Sequence, residues 1–242
     1  MVATQDFSYD HDGVSLVGQI ARPSGRGPHP AVLVIHSALG IGELERRRAS
    51  DLAALGYVAL AADMYGAGHD LSREVAGTEF LRLQKHPDRL RSRVVATFDA
   101  VRDLDEVDST RVGAIGFCFG GQCALELARS GADVQSVVSF HGLLRTAGPA
   151  QSGAVAAKVL SISGAKDPYV PAEDVRTFQQ EMTDAGVEWQ VTVYGEGLHG
   201  FTMPDIAHAD VPGTGYDPSL DHLSWAQATT FLGATLNVVP DR

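Results

Sequence analysis

A cysteine, an aspartate and a histidine, each placed just after an apolar run, are the residues of this sequence best suited to do chemistry. Cys118 lies in Gly116-Phe117-Cys118-Phe119-Gly120-Gly121, between the apolar run Val112 to Phe117 and a helix-forming stretch, Gln122 to Ala128. Gly-x-Cys-x-Gly in that setting has the form of a nucleophile elbow, a tight strand-to-helix turn that holds a reactive atom above a sheet. Side chains two residues before or after the nucleophile would collide with the neighbouring strand and helix, hence the glycines. The helix N-terminus beneath such a thiol favours thiolate, the nucleophilic form. The segment does not fit Gly-x-Gly-x-x-Gly and no Gly-Lys-Ser/Thr follows, which argues against a phosphate loop. Cys123 lies within the following helix beside Ala124, Leu125 and Leu127 and reads as core packing; its spacing from Cys118 suits neither a Cys-x-x-Cys redox pair nor a zinc site.

A nucleophile on an elbow needs a base, and the base an orienter, in the chain order nucleophile, acid, histidine. Asp167 follows the run Val159 to Ser163 in Gly164-Ala165-Lys166-Asp167-Pro168, and His199 follows Trp189 to Tyr194 in Gly195-Glu196-Gly197-Leu198-His199-Gly200-Phe201. A loop aspartate alone is commonly a turn or cap residue, and a loop histidine alone often only satisfies backbone groups. Together they compose a triad, with Cys118 as nucleophile, His199 as acid and base, and Asp167 fixing the imidazole. The Phe119 N–H and the Ala38 N–H, the latter from His36-Ser37-Ala38-Leu39-Gly40, are the expected oxyanion donors. His36, Ser37, Tyr65, His141 and Phe201 are candidate pocket-lining residues.

These residues require a frame. The run Ala31 to Ile35 is apolar on both faces, as in a strand buried between helical layers. Strands are expected at Ser15–Ala21, Ala31–Ile35, Tyr57–Ala62, Val112–Phe117, Val134–Phe140, Lys158–Ser163 and Glu188–Tyr194. Helices are expected from about Gly42 to Leu55, between Arg73 and Glu106, at Gly120–Ala128 and Ala172–Ala185, and from Ser219 to Leu236. Such alternation predicts an α/β fold, a mostly parallel central sheet with helices on both faces. No repeat or linker divides residues 1–242, so one domain is expected. The segment Gly66 to Leu90 is expected to cover the pocket with a small cap or none.

Composition narrows the function. Among 242 residues, 30 Asp and Glu face 19 Lys and Arg, a formal charge of −11, which disfavours nucleic acid and anionic membranes as partners. The apolar runs are too short to span a bilayer. No export signal is evident at the N-terminus, and two cysteines make no disulfide framework, so a cytoplasmic protein is expected, monomeric or weakly self-associating.

The motifs around Cys118, Asp167 and His199, with Asp63-Met64-Tyr65-Gly66 and Gly215-Tyr216-Asp217-Pro218, resemble the dienelactone hydrolase family of α/β-hydrolases over nearly the whole chain. The resemblance implies a Cys-His-Asp hydrolase, needing neither metal nor organic cofactor, that opens a small lactone or cleaves an ester through a thioester acyl-enzyme. Dienelactone hydrolases carry a glutamate where Ser37 stands, and an arginine soon after the tyrosine where Gly66, Ala67 and Gly68 stand. A serine hydroxyl can hydrogen-bond the thiol but cannot take its proton at neutral pH, and the missing arginine, with the net charge of −11, points to a neutral substrate. A noncatalytic ligand-binding homologue, a thioesterase or a carbon–carbon bond hydrolase would use the same frame.

Overall fold

The structure is a computed structural model that describes residues 2–66, 68–207 and 211–236. Its centre is an eight-stranded sheet in the order β1-β2-β4-β3-β5-β6-β7-β8. The strands are β1 (Thr4–His11), β2 (Val14–Ala21), β3 (His29–Ile35), β4 (Val58–Ala62), β5 (Val107–Phe117), β6 (Ser136–Phe140), β7 (Lys158–Gly164) and β8 (Trp189–Tyr194). β1 and β2 are antiparallel to each other and β2 to β4; every later pairing is parallel. The helices are α1 (Glu43–Ala54), α2 (Arg73–Gln84), α3 (Pro87–Arg102), α4 (Phe119–Arg129), α5 (Ala172–Asp184) and α6 (Pro218–Thr235).

β3 shows why the sheet is sandwiched. Ala31, Leu33 and Ile35 point into one core with Val94 and Phe98 of α3, Leu127 of α4 and Phe178 of α5. Val32 and Val34 point into the other, with Leu44 and Leu52 of α1 and Phe231 and Leu232 of α6. A strand lined on both faces reads as one continuous apolar run, and each fully buried Val, Leu or Ile contributes roughly 1.5–3 kcal/mol. The Arg48 guanidinium ties α1 to α6 by pairing with Asp221 while lying 4.2 Å over the Trp225 ring.

Two elements differ from the sequence expectation. β1 fills a segment for which no strand was expected, closing a hairpin with β2 through Asp12 and Gly13, both at positive φ (55° and 72°). β5 starts at Val107, five positions before the apolar run, because the polar stretch Asp108 to Arg111 continues the strand at its exposed end. The expected helical region after Arg73 is two helices, broken before Pro87. Among the described residues, no helix is long and apolar enough to cross a membrane.

Candidate active site

The carboxyl ends of β3 to β8 carry the residues that the sequence singled out. β5 ends at Phe117 and α4 begins at Phe119, leaving Cys118 to make the turn at φ 53°, ψ −112°. A side chain at Gly116 would run into the Gly120 carbonyl, and one at Gly120 into the Ile35 carbonyl, so backbone meets backbone on both sides of the thiol. Cys118 is half-buried and Cys123 fully buried, and both are free thiols. Burial pushes the Cys123 thiol well above its ordinary range, which fits a packing role.

The structure brings Cys118, His199 and Asp167 into one line. His199 Nε2 lies 3.0 Å from Cys118 Sγ, and its Nδ1 lies 2.8 Å from Asp167 Oδ2. The second oxygen, Asp167 Oδ1, accepts from the Tyr169 N–H at 2.8 Å, so the carboxylate is held at both ends. Burial disfavours the His199 imidazolium, but the bonds to Asp167 and Cys118 outweigh it and push the group up to about 10. The ring thus spans the carboxylate on its Nδ1 side and the sulfur on its Nε2 side. The His199 loop is braced from outside: His199 N–H donates to the Gly213 carbonyl at 2.9 Å, and the His199 carbonyl accepts from Gly215 N–H at 3.1 Å.

The loop after β3 is wound so that one amide is left over. Ser37 N–H and Gly42 N–H donate to the two oxygens of Glu45 at 3.4 and 2.8 Å. Leu39 N–H donates to Ser37 Oγ at 3.2 Å, and Gly40 N–H to the Ser37 carbonyl at 3.2 Å. The Ala38 N–H has no acceptor among the described residues. Phe119, as the first residue of α4, likewise has an amide with no intrahelical acceptor.

The remaining candidates are tied into this loop and elbow. His36 is fully buried, with Nδ1 2.6 Å from the Ser37 carbonyl and Nε2 accepting from Met64 N–H at 3.1 Å. Burial draws its pKa below the usual imidazole range, consistent with a neutral ring. Tyr65 packs edge-on to His36 at 4.4 Å, stacks on Phe119 at 5.7 Å and donates its O–H to the Ala38 carbonyl at 3.1 Å. Phe201 is fully buried against His141 and Tyr194. His141, also fully buried, accepts from the Cys118 N–H. Ser37 Oγ is taken up by the Leu39 amide, and the sulfur's hydrogen-bond partner among the described residues is His199.

Sequence reasoning left out Glu45, which binds two amides of the Ser37 loop, and Asp63 as an organiser of the next turn. The Asp63 carboxylate accepts from Tyr65 and Gly66 N–H at 2.8 and 3.0 Å through one oxygen and from Val17 N–H at 3.0 Å through the other. The signal for Glu45 was present, since a glutamate three residues after the helix-capping Gly42 is the acidic half of a capping box. Arg82 pairs with Glu79 and donates to the Tyr65 carbonyl, and Arg145 pairs with Asp174. No group of three or more His, Cys, Asp or Glu placed to hold a metal ion occurs among the described residues.

Comparison with known proteins agrees with this fold. The crystal structure of a dienelactone hydrolase-like promiscuous phosphotriesterase, P91, from metagenomic libraries superposes with a TM-score of 0.90 at 33% identity, covering 97% of this chain and 98% of that one. A Klebsiella pneumoniae dienelactone hydrolase-like structure shares the fold, with a TM-score of 0.77 at 24% identity over 96% of this chain and 99% of its own. A Bradyrhizobium protein provisionally described as 2-oxo-3-(5-oxofuran-2-ylidene)propanoate lactonase is 30% identical over 203 residues, 78% of this chain and 80% of its own length. The fold is thus that of the α/β-hydrolases. The pattern of the dienelactone hydrolase family matches residues 16–236, nearly the whole described sheet and its helices, and the chain belongs to that family of ester- and lactone-cleaving hydrolases.

Proposed function

We propose that the protein hydrolyses small carboxylic esters or lactones with Cys118 as nucleophile, through a thioester acyl-enzyme. The observation that carries this reading is the line Cys118 Sγ, His199, Asp167 at 3.0 and 2.8 Å. The thiolate adds to the substrate carbonyl carbon, and the oxyanion that forms takes hydrogen bonds from the Ala38 and Phe119 amides. As the intermediate collapses, the C–O bond breaks and the His199 imidazolium gives its Nε2 proton to the departing alkoxide. The imidazole, now neutral, takes a proton from water, whose oxygen attacks the thioester. The C–S bond breaks, the acid leaves, and the imidazolium–thiolate pair is restored.

Among the described residues, no lysine or arginine hydrogen-bonds to a triad side chain. With acidic residues exceeding basic ones by 30 to 19, this supports an uncharged substrate. It also supports a second reading, a side activity on neutral phosphotriesters, because a thiolate facing two amide donors meets a P=O group as it meets a C=O group, and P91 is described as such an enzyme. Two free thiols fit a cytoplasmic enzyme.

The test is turnover of p-nitrophenyl acetate, a small γ-lactone and paraoxon by the wild type and Cys118→Ala. Ester or lactone turnover that drops at least about a thousandfold in the variant is expected. Unchanged turnover rejects Cys118 as nucleophile, and paraoxon turnover that ignores Cys118 rejects the second reading.

A further inference from the structure

We infer that His141 is a positioning residue for the Cys118–His199 pair, a buried strut that ties the nucleophile elbow to the loop carrying the base. β5 and β6 run side by side with Phe117 opposite Phe140, and each strand is followed at once by a residue in left-handed backbone: Cys118 at φ 53° and His141 at φ 40°. The other non-glycine residues with positive φ among those described are Asp12 and Asp70, both exposed aspartates, a residue type that tolerates this region in turns. A buried histidine there is unusual, and such conformations persist where the surroundings over-determine them. The next residue shows how close the two turns lie: a Cβ on Gly142 would stand 2.8 Å from the Gly121 Cα, in the first turn of α4.

The imidazole joins these turns to a third segment. Its Nδ1 accepts from the Cys118 N–H at 3.2 Å, a donor it shares with the Phe140 carbonyl at 3.0 Å. Nε2 therefore carries the proton, and it lies 2.8 Å from Thr202 Oγ1, to which it donates. Thr202 is three residues beyond His199, and both it and His141 are fully buried. The bridge Cys118 N–H to His141 to Thr202 thus runs alongside the catalytic contact between sulfur and His199 Nε2. The His141 ring also stands edge-on to the His199 ring at 5.4 Å and to Phe201 at 5.1 Å. Burial, and then the His199 charge, hold His141 well below the usual imidazole range, which keeps the neutral tautomer that the two bonds require. A phenylalanine would fill the same space; two directed hydrogen bonds are what the imidazole adds.

The inference deepens the hydrolase reading and rests on it for its catalytic meaning, so the experiment reads the thiol both with and without turnover. The rate of Cys118 alkylation by iodoacetamide at pH 7, and kcat and KM for p-nitrophenyl butyrate, are compared in the wild type, His141→Phe, His141→Asn, Thr202→Val and the double variant His141→Phe/Thr202→Val. Displacing the pair by a fraction of an ångström is expected to lower alkylation and kcat about tenfold in His141→Phe with KM within about twofold. Asparagine, which restores an acceptor near the Nδ1 position, is expected to recover part of the loss. Thr202→Val is expected to lose about threefold, and the double variant to match His141→Phe, since both changes cut one strut. Wild-type alkylation in folded His141→Phe, or losses that multiply in full, would overturn the inference. If His141→Phe fails to fold, Thr202→Val decides alone: unchanged alkylation and kcat overturn the strut. A wild type that is alkylated normally yet hydrolyses no ester defeats the hydrolase reading only.

Discussion

The phenol of Tyr65 donates to the Ala38 carbonyl at 3.1 Å, joining the turn after β4 to the loop after β3. Ala38 is the residue whose N–H the surrounding loop leaves without an acceptor among the described residues, so Tyr65 steadies the amide proposed as an oxyanion donor. Tyr65→Phe keeps the ring against Phe119 and His36 and removes the O–H. We expect kcat for p-nitrophenyl butyrate to fall roughly tenfold with KM little changed, and stability to urea to fall by about 1–2 kcal/mol for the carbonyl left unpaired. Undiminished kcat would show that the loop needs no such tether.

His199 predicts a dependence on leaving group as well as on pH. Its imidazolium persists up to about 10, and in the proposed reaction it protonates the departing alkoxide. An alkyl ester or lactone should therefore lose kcat/KM as pH rises through about 10, while a p-nitrophenyl ester, whose leaving group departs unprotonated, should hold its acylation rate further into alkali. Stopped-flow acylation from pH 7 to 11 with both substrate types is the measurement. Identical profiles would remove His199 from the role of general acid.

The two buried neutral histidines predict sensitivity to acid. Burial lowers the folded-state pKa of His36 and His141 below 6.5, the ordinary value that the unfolded chain retains. As pH falls past 6.5, the unfolded chain takes up protons that the native state refuses, so stability declines by up to about 1.4 kcal/mol per pH unit for each ring. His199 acts in the opposite sense: its raised pKa stabilises fully below 6.5, and that contribution is lost as pH climbs towards about 10. Urea midpoints at pH 7, 6.3 and 5.5 should fall in sequence for the wild type, and less steeply for His141→Phe. Equal midpoints at pH 7 and 5.5 would contradict neutral burial of these rings.

What could be read from the sequence was local or periodic. The elbow at Cys118 was legible because few turns other than a nucleophile elbow need glycines at those fixed offsets within a few residues, and β3 because Ala31 to Ile35 is apolar throughout. β1 was hidden, since an edge strand with one exposed face needs few apolar residues; Phe7, Tyr9 and the Asp12-Gly13 turn were its traces. The roles of Tyr65 and His141 depend on contacts that no local pattern encodes. Tyr65 and Ala38 are 27 positions apart, and His141 and Thr202 are 61 apart. Ser37 was placed in the correct loop, but which way its hydroxyl turned depended on competition from the Leu39 amide.

The strand order places Cys118 and His199 on very different footings. Cys118 follows β5, paired on both sides by β3 and β6, whereas His199 follows β8, an edge strand hydrogen-bonded to β7 alone. Edge elements open more readily than the strands they flank. On warming, the imidazole should part from the sulfur while the middle of the sheet still holds. Esterase activity assayed at temperature is then expected to vanish several degrees below the far-ultraviolet melting transition and to return on cooling, with heat resistance of catalysis set by the fraying of one outer strand.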